Sequence, residues 1–294
     1  MKTGNVMEYY VMILIATVLL AVDFALSKLY QSKMGTSSKA GLLFNGCNGL
    51  ITAVIFWALN GFTFSCTWFS AVVAVVMSAL AVFYSIIGFR VLRMGSMSLY
   101  TVFLMTGGMV LPYVYGLIFL NEPISVLRVL GLGVIVCAVV LSNGGKQVTT
   151  GKLILFCVAV FVLNGVISIL SKTHQITELP TVNAKEYVML TGLAKFVMCP
   201  IAYLFTGKEK PEFTAKRFGR IVPLIALSAL VSGSSYLLQL IGASELPASV
   251  LYPCVTGGSI IFSTIAGMIF FREKLSLKQI LAVALCFVGT CMFL

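Results

Sequence analysis

The sequence is poor in charge. Only 10% of its 294 residues are Asp, Glu, Lys or Arg, where a soluble domain carries about 25%. The fifty residues from Ala40 to Phe89 include no charge at all. A soluble core cannot bury so long an uncharged run and still solvate its surface. Histidine is nearly missing too. His174 is the single one, and no His-Glu-x-x-His, Gly-x-Ser-x-Gly or Walker loop occurs. Metal-assisted hydrolysis, serine-nucleophile chemistry and nucleotide hydrolysis therefore lack their usual residues, and no enzyme activity or cofactor is expected. Cys-x-x-Cys is absent as well. Of the eight cysteines, all but Cys66 lie inside apolar stretches, where free Cys acts as a small hydrophobe. Neither disulfides nor a metal site are expected.

What is present is apolar. The hydrophobic share is 60%, against about 45–50% for soluble proteins, and long apolar stretches mark transmembrane helices. The net charge of +11 invites a nucleic-acid partner. The basic residues are scattered between apolar runs instead of clustered, which suits topology determinants and lipid headgroup contacts. No nucleic-acid partner is expected. The N-terminus, MKTGNVMEYY, runs into a long apolar helix with no small-residue cleavage site after it. It reads as a first span, not a signal peptide.

Cutting at Gly, Pro and charge predicts ten spans, near 8–27, 39–58, 67–89, 96–120, 126–142, 153–172, 184–206, 220–241, 247–271 and 277–293. The halves repeat. SKLYQ (27–31) returns as SKTHQ (171–175), SAL (78–80) at 228–230, TGG (106–108) at 256–258, and NEPIS (121–125) as REKLS (272–276). Four matches in order point to internal duplication. Five helices per half make the second half enter from the opposite side, an arrangement typical of secondary transporters. The predicted fold is an all-α membrane protein of ten transmembrane helices in two inverted five-helix repeats. Residues 1–143 form the first, 144–151 a linker and 152–294 the second.

Orientation follows from Lys and Arg. Four basic residues lie on the side of the termini and fifteen on the other. The positive-inside rule then puts both termini outside. Trp57 and Trp68 flank the basic-poor loop 2–3, as an interfacial aromatic belt would.

Several segments resemble the drug/metabolite transporter superfamily, EamA type. LIFLNEPIS (117–125) and MIFFREKLS (268–276) are similar to that family's apolar run closing on a Glu before the next helix. LYPCVTGG (251–258) is similar to its proline-bearing ninth helix, and VDFALSKL (22–29) to its first, with Asp23 where Asn is common. The resemblance implies a ten-helix transporter whose substrates range over amino acids, sugars, nucleotide conjugates and toxic cations.

Polar residues within the spans are the candidates for function. Asn164, Ser168, Ser171 and Gln175 share one face of the sixth helix. Ser228, Ser232, Ser235 and Gln239 do so on the eighth, and Tyr252, Thr256, Ser259 and Ser263 on the ninth. Such stripes either line a central cavity or join helices, since a bilayer leaves them no other partner. At the corresponding first-half positions stand Leu20, Phe24, Val82, Phe89, Val102, Met109 and Tyr113, with Ser27, Ser78, Ser85 and Thr106 as the polar exceptions. One polar half and one apolar half suit an amphipathic solute. Asn45, Asn48 and Thr52 form a shorter face on the second helix, which either lines the cavity or joins helices.

Lys195 is about 14 Å beyond Glu186 at 1.5 Å per residue, close to mid-membrane. A central Lys is costly, and it reads as an anion site or proton-coupled switch, as a structurally paired charge, or as a charge lodged in a water pocket. Asp23 reads as a protonation site, a cation ligand or a partner for Lys28. Glu122 and Glu273, at helix ends, read as loop organisers. Pro112 and Pro253, next to Gly107–Gly108 and Gly257–Gly258, read as hinges.

The expected protein is a secondary active transporter, exporter or exchanger, of a small amphipathic or anionic metabolite. It works by alternating access in the cell inner (plasma) membrane. The binding set comprises Asp23, Asn45, Asn48, Thr106, Asn164, Ser168, Lys195, Ser232, Ser235, Gln239, Tyr252 and Thr256. Its partners are a small-molecule substrate, the lipid bilayer and protons as coupling ion, in a monomer or weak homodimer. The alternatives are a lipid-linked-sugar flippase and a cationic-drug efflux protein.

Overall fold

The structure, a computed structural model, describes residues 6–35, 37–93, 97–143, 151–206, 218–272 and 276–293. These form ten helices and no strand. They are α1 (Val6–Met34), α2 (Ser38–Leu59), α3 (Trp68–Arg93), α4 (Met97–Phe119), α5 (Val126–Asn143), α6 (Gly151–Ile176), α7 (Ala184–Phe205), α8 (Val222–Glu245), α9 (Ala248–Phe271) and α10 (Leu277–Cys291). Eight are long and apolar enough to cross a membrane, and α5 and α10 are shorter apolar helices. Most of the linker, at 144–150, and Glu273 lie outside the described residues.

Sequence-predicted and observed helices agree in number, and they differ where a helix outlasts its apolar run. Helix α1 runs to Met34 instead of 27, α6 to Ile176 instead of 172 and α8 to Glu245 instead of 241. Caps and turns end these helices, not the membrane boundary. Gly35, at φ 84°, ends α1 in the left-handed region that glycine alone enters freely. Starts are capped as well. Asn183 and Glu186 form a reciprocal capping box at α7, as do Ser276 and Gln279 at α10. Asn121 and Arg272 follow α4 and α9 at repeat-equivalent positions, and both take φ 51°. The same unusual turn therefore closes both helices.

Neighbouring helices pair by a rule. Helix α2 packs most closely on α7, α4 on α6, α1 on α8 and α9, α5 on α10, and α3 on α6 and α7. Replacing each helix by the one five further along exchanges α1–α8 with α3–α6 and α4–α6 with α1–α9. It leaves α2–α7 and α5–α10 in place. Along α2, Gly46 faces Cys199, and Gly49 and Ala53 face Gly192, so α2 and α7 run antiparallel. Along α5, Gly131 faces Met292 and Ile135 faces Gly289, so α5 and α10 are antiparallel too.

Both crossings are glycine on glycine. A Cβ on Gly49 would stand 2.7 Å from the Gly192 carbonyl oxygen, and one on Gly192 would stand 2.7 Å from that of Gly49. Between α5 and α10 the matching distances at Gly131 and Gly289 are 2.9 and 3.0 Å. Small residues are how bilayer helices approach closely, since lipid gives no hydrophobic drive to pair. The Gly pairs beside Pro112 and Pro253 serve the same end. Gly107 and Gly108 admit Phe161 and Asn164 of α6, while Gly257 and Gly258 admit Thr290 of α10 and Thr17 of α1.

One connection is gripped from both ends. Glu122 accepts the backbone N–H groups of Ala248 and Ser249 at 2.6 and 2.8 Å, at the N-terminus of α9. The buried Lys172 Nζ donates to the carbonyls of Ala243 and Leu246 at 2.6 and 2.7 Å, at the C-terminus of α8. Each charge opposes the sign of the helix end it meets. Glu122 thus organises a loop, as its position at a helix end implies.

Gly49→Val should lower the melting temperature of the purified protein. Overpacking costs about 1–3 kcal/mol. Gly133→Ala, where a new Cβ meets nothing within 4 Å, should leave melting unchanged or raise it. Equal melting of the two variants would show that the α2–α7 crossing is not tight.

Candidate functional site

Asp23 is the only aspartate in the chain. It projects from α1 into the bundle and accepts a hydrogen bond of 2.5 Å from Ser228 Oγ of α8. The Ser228 hydroxyl also accepts from Asn48 Nδ2 of α2 at 3.2 Å, and Asn48 reaches Ser232 Oγ at 3.5 Å. Ser232 itself donates to the carbonyl of Ser228 at 2.7 Å. Asp23 of α1 is thus linked through Ser228 of α8 to Asn48 of α2. Thr52, one turn beyond Asn48, donates to the carbonyl of Ala229 at 3.4 Å and keeps α2 in register with α8.

Lys195 of α7 is within electrostatic reach of Asp23. Its side chain is exposed. It borders a cavity of about 150 Å³ with Ser78 and Tyr84 of α3, Ile167 of α6, Thr191 of α7 and Tyr236 of α8. The Lys195 Cβ packs closely on α2, 2.9 Å from where a Cβ on Gly49 would stand. Among the described residues no ion pair joins Lys195 to Asp23, so the two charges act through space.

A second polar group joins α4, α6 and α9. Asn164 donates to the Leu104 carbonyl of α4 at 2.8 Å. Ser168 donates to the Asn164 carbonyl at 3.2 Å, and its own carbonyl accepts Tyr252 Oη at 2.5 Å. One turn on, Ser171 shares a hydrogen bond of 3.3 Å with Tyr236. Tyr236 borders the Lys195 cavity, so this group adjoins the first.

The remaining predicted residues lie elsewhere. Ser235 is buried and donates to the Ala16 carbonyl of α1 at 2.7 Å, while Gln239 donates back to Ser235 at 3.1 Å. Thr106 is buried and bonds back to Val102 at 2.7 Å within its own helix. The first arrangement joins two helices, and the second stays within α4. Thr256 is half-buried, and its carbonyl accepts Ser259 Oγ at 2.8 Å. Asn45 borders a separate polar cavity of about 140 Å³ with Ser27, Tyr30 and Gln31, at the α1–α2 turn. The structure therefore brings Asp23, Asn48 and Ser232 together beside Lys195. It sets Asn164, Ser168 and Tyr252 next to them, and leaves Asn45 apart. Sequence reasoning missed Tyr84, Tyr236, Ser78 and Thr191 as cavity neighbours. A lone Tyr or Ser in an apolar helix carries no periodic signal. Only the i, i+4 step from Thr191 to Lys195 could have paired those two.

This geometry defines a class: a polyhelical membrane protein with a charged, hydroxyl-rich centre and no described cluster of three metal-ligating side chains. Residues 151–294 match the model of the EamA-like transporter family, and the chain belongs to the drug/metabolite transporter superfamily. It is a multi-pass membrane protein and a membrane transporter of small molecules, in a family that is generally not enzymatic. A protein of known crystal structure is similar in fold. Its TM-score is 0.73 over 96% of this chain and 95% of its own, at 14% identity. No curated protein matches the chain.

Ser228→Ala should lower stability by about 1.5–3 kcal/mol, the cost of a hydrogen bond to a charged group. Thermal unfolding in detergent measures it. An unchanged melting temperature would show that Asp23 does not depend on this hydroxyl.

Proposed function

We propose that the protein is a secondary active transporter, exporter or exchanger, of a small amphipathic or anionic metabolite, working by alternating access. The observation that carries this reading is Lys195 of one half on the border of a cavity, within electrostatic reach of Asp23 of the other half. An unsupported charge at mid-membrane is expensive. Two of opposite sign beside a cavity form a place where a polar solute replaces water.

In this reading residues 1–143 and 152–294 are inverted repeats joined by 144–151. Antiparallel pairing of α2 with α7 and of α5 with α10 supports an axis in the membrane plane. The halves rock about the glycine crossings, and the Gly/Pro segments of α4 and α9 absorb the change. The binding set is Asp23, Asn48, Asn164, Ser168, Lys195, Ser232, Tyr252 and Thr256, with Asn45, Thr106, Ser235 and Gln239 supporting the helices that carry it. Protons couple through Asp23. The termini lie outside the cell's inner (plasma) membrane, and the protein acts as a monomer or weak homodimer.

One observation favours a lipid-linked-sugar flippase instead. An apolar groove of about 460 Å³ opens between α1, α9 and α10, bordered by Tyr10, Ile13, Cys254, Phe262 and Phe287. Its lining has no charge, which suits an acyl chain and not a headgroup.

Proteoliposomes separate the two. The transporter reading predicts exchange of water-soluble anionic or amphipathic metabolites across the membrane, no movement of labelled lipid, and at least about tenfold slower exchange in Lys195→Met. Lipid translocation without solute exchange would replace it with the flippase.

A further inference from the structure

The cavity beside Lys195 is bordered by two donors of different kinds that meet no acceptor among the described residues. Its other polar groups are engaged. The Ser78 hydroxyl donates to the Thr191 carbonyl at 3.4 Å, the Thr191 hydroxyl to the Val188 carbonyl at 2.9 Å, and Tyr236 shares its hydrogen bond with Ser171. Among the described residues, the Lys195 ammonium and the Tyr84 hydroxyl have no hydrogen-bond partner, and both border the same space. One cation and one phenol bordering the same cavity make a place for an oxyanion.

Charge limits which oxyanion fits. Lys195 supplies one positive charge, and Asp23 stands within electrostatic reach of it without bordering the cavity. Asp23 already offsets Lys195 through space, so each negative charge on a ligand adds to the set, and a dianion adds twice what a monoanion does where the dielectric is low. Size limits the rest of the ligand. The cavity measures about 150 Å³, and an apolar space of about that volume accommodates benzene. Its remaining borders are Met77, Ala81, Ile167 and the ring of Tyr236, which offer thioether, aliphatic and aromatic contact to a flat apolar body.

We propose that this cavity is a subsite for a small aromatic monocarboxylate, with Lys195 and Tyr84 holding the carboxylate and the Met77, Ile167 and Tyr236 walls enclosing the ring. The proposal rests on reading this cavity as the transport site. Tyr84 then determines specificity: its hydroxyl completes the carboxylate's second oxygen, which a lone ammonium leaves unmet.

The test is binding of benzoate to the purified full-length chain, by calorimetry and thermal shift, with benzamide and phenyl phosphate as neutral and dianionic counterparts. Benzoate should raise the melting temperature saturably. Benzamide and phenyl phosphate should bind at least about tenfold more weakly. Tyr84→Phe should weaken benzoate about tenfold while leaving ligand-free melting unchanged, because the lost hydroxyl has no hydrogen-bond partner among the described residues. Lys195→Met should weaken it by about ten- to a hundredfold. Should that variant fail to fold, Tyr84→Phe and the benzamide comparison carry the test alone. Absence of benzoate binding, or equal affinity in Tyr84→Phe, would overturn the assignment. Proteoliposome exchange keeps the two readings apart. Exchange of a metabolite with which benzoate does not compete would sink the subsite and spare the transporter. Benzoate binding with no exchange of any solute would do the reverse.

Discussion

A bilayer core offers no hydrogen-bond partner, so each polar group that enters it must find one inside the protein. The arrangement of this bundle follows from that constraint. Ser235 reaches across to α1, Asn164 to α4, Thr52 to α8 and Tyr252 to α6. Each is a joint between helices that lipid alone would not hold together. The reciprocal glycines of α2 with α7 and of α5 with α10 bring backbones near enough for these joints to close. Lys195 and Tyr84, which among the described residues have no hydrogen-bond partner, border a cavity.

Helix polarity supplies the remaining electrostatic order. At the α8–α9 turn, Glu122 meets backbone N–H groups and Lys172 meets carbonyls. Both charges come from elements outside the turn they hold, so the position of α9 is tied to the ends of α4 and α6. Helix α9 carries Tyr252, whose hydroxyl reaches the second polar group. A displacement of that turn would therefore move one wall of the site. This is the link between packing at the membrane surface and chemistry at its centre.

Much of the architecture was legible in the residues. The uncharged run through α2 and α3, the Gly and Pro breaks and the ordered repeats specify ten helices. The polar stripe on α8 carries Ser228 and Ser232, and α1 carries the one Asp to which Ser228 donates. Three things were not legible. Helix ends depended on local turn geometry, such as the left-handed Gly35, which hydrophobicity does not encode. The division of stripe residues into joints and lining depended on the neighbour each one meets. Ser235 and Ser232 lie on one face of one helix, yet the first bonds to α1 and the second adjoins Asn48. Tyr84 sits in a helix whose other residues give no polar period, so only three-dimensional proximity to Lys195 distinguishes it from a core tyrosine.

The central claim is that one site, near Asp23 and Lys195, is reached from each side of the membrane in turn. Thiol accessibility tests it most directly. In a variant lacking the eight native cysteines, Ser232→Cys places a thiol beside Asn48 and next to Ser228. The account predicts modification by a membrane-impermeant thiol reagent added to either side of sealed vesicles, with both rates lowered by a bound solute. Modification from one side only, unchanged under every solute and pH gradient, would contradict alternating access.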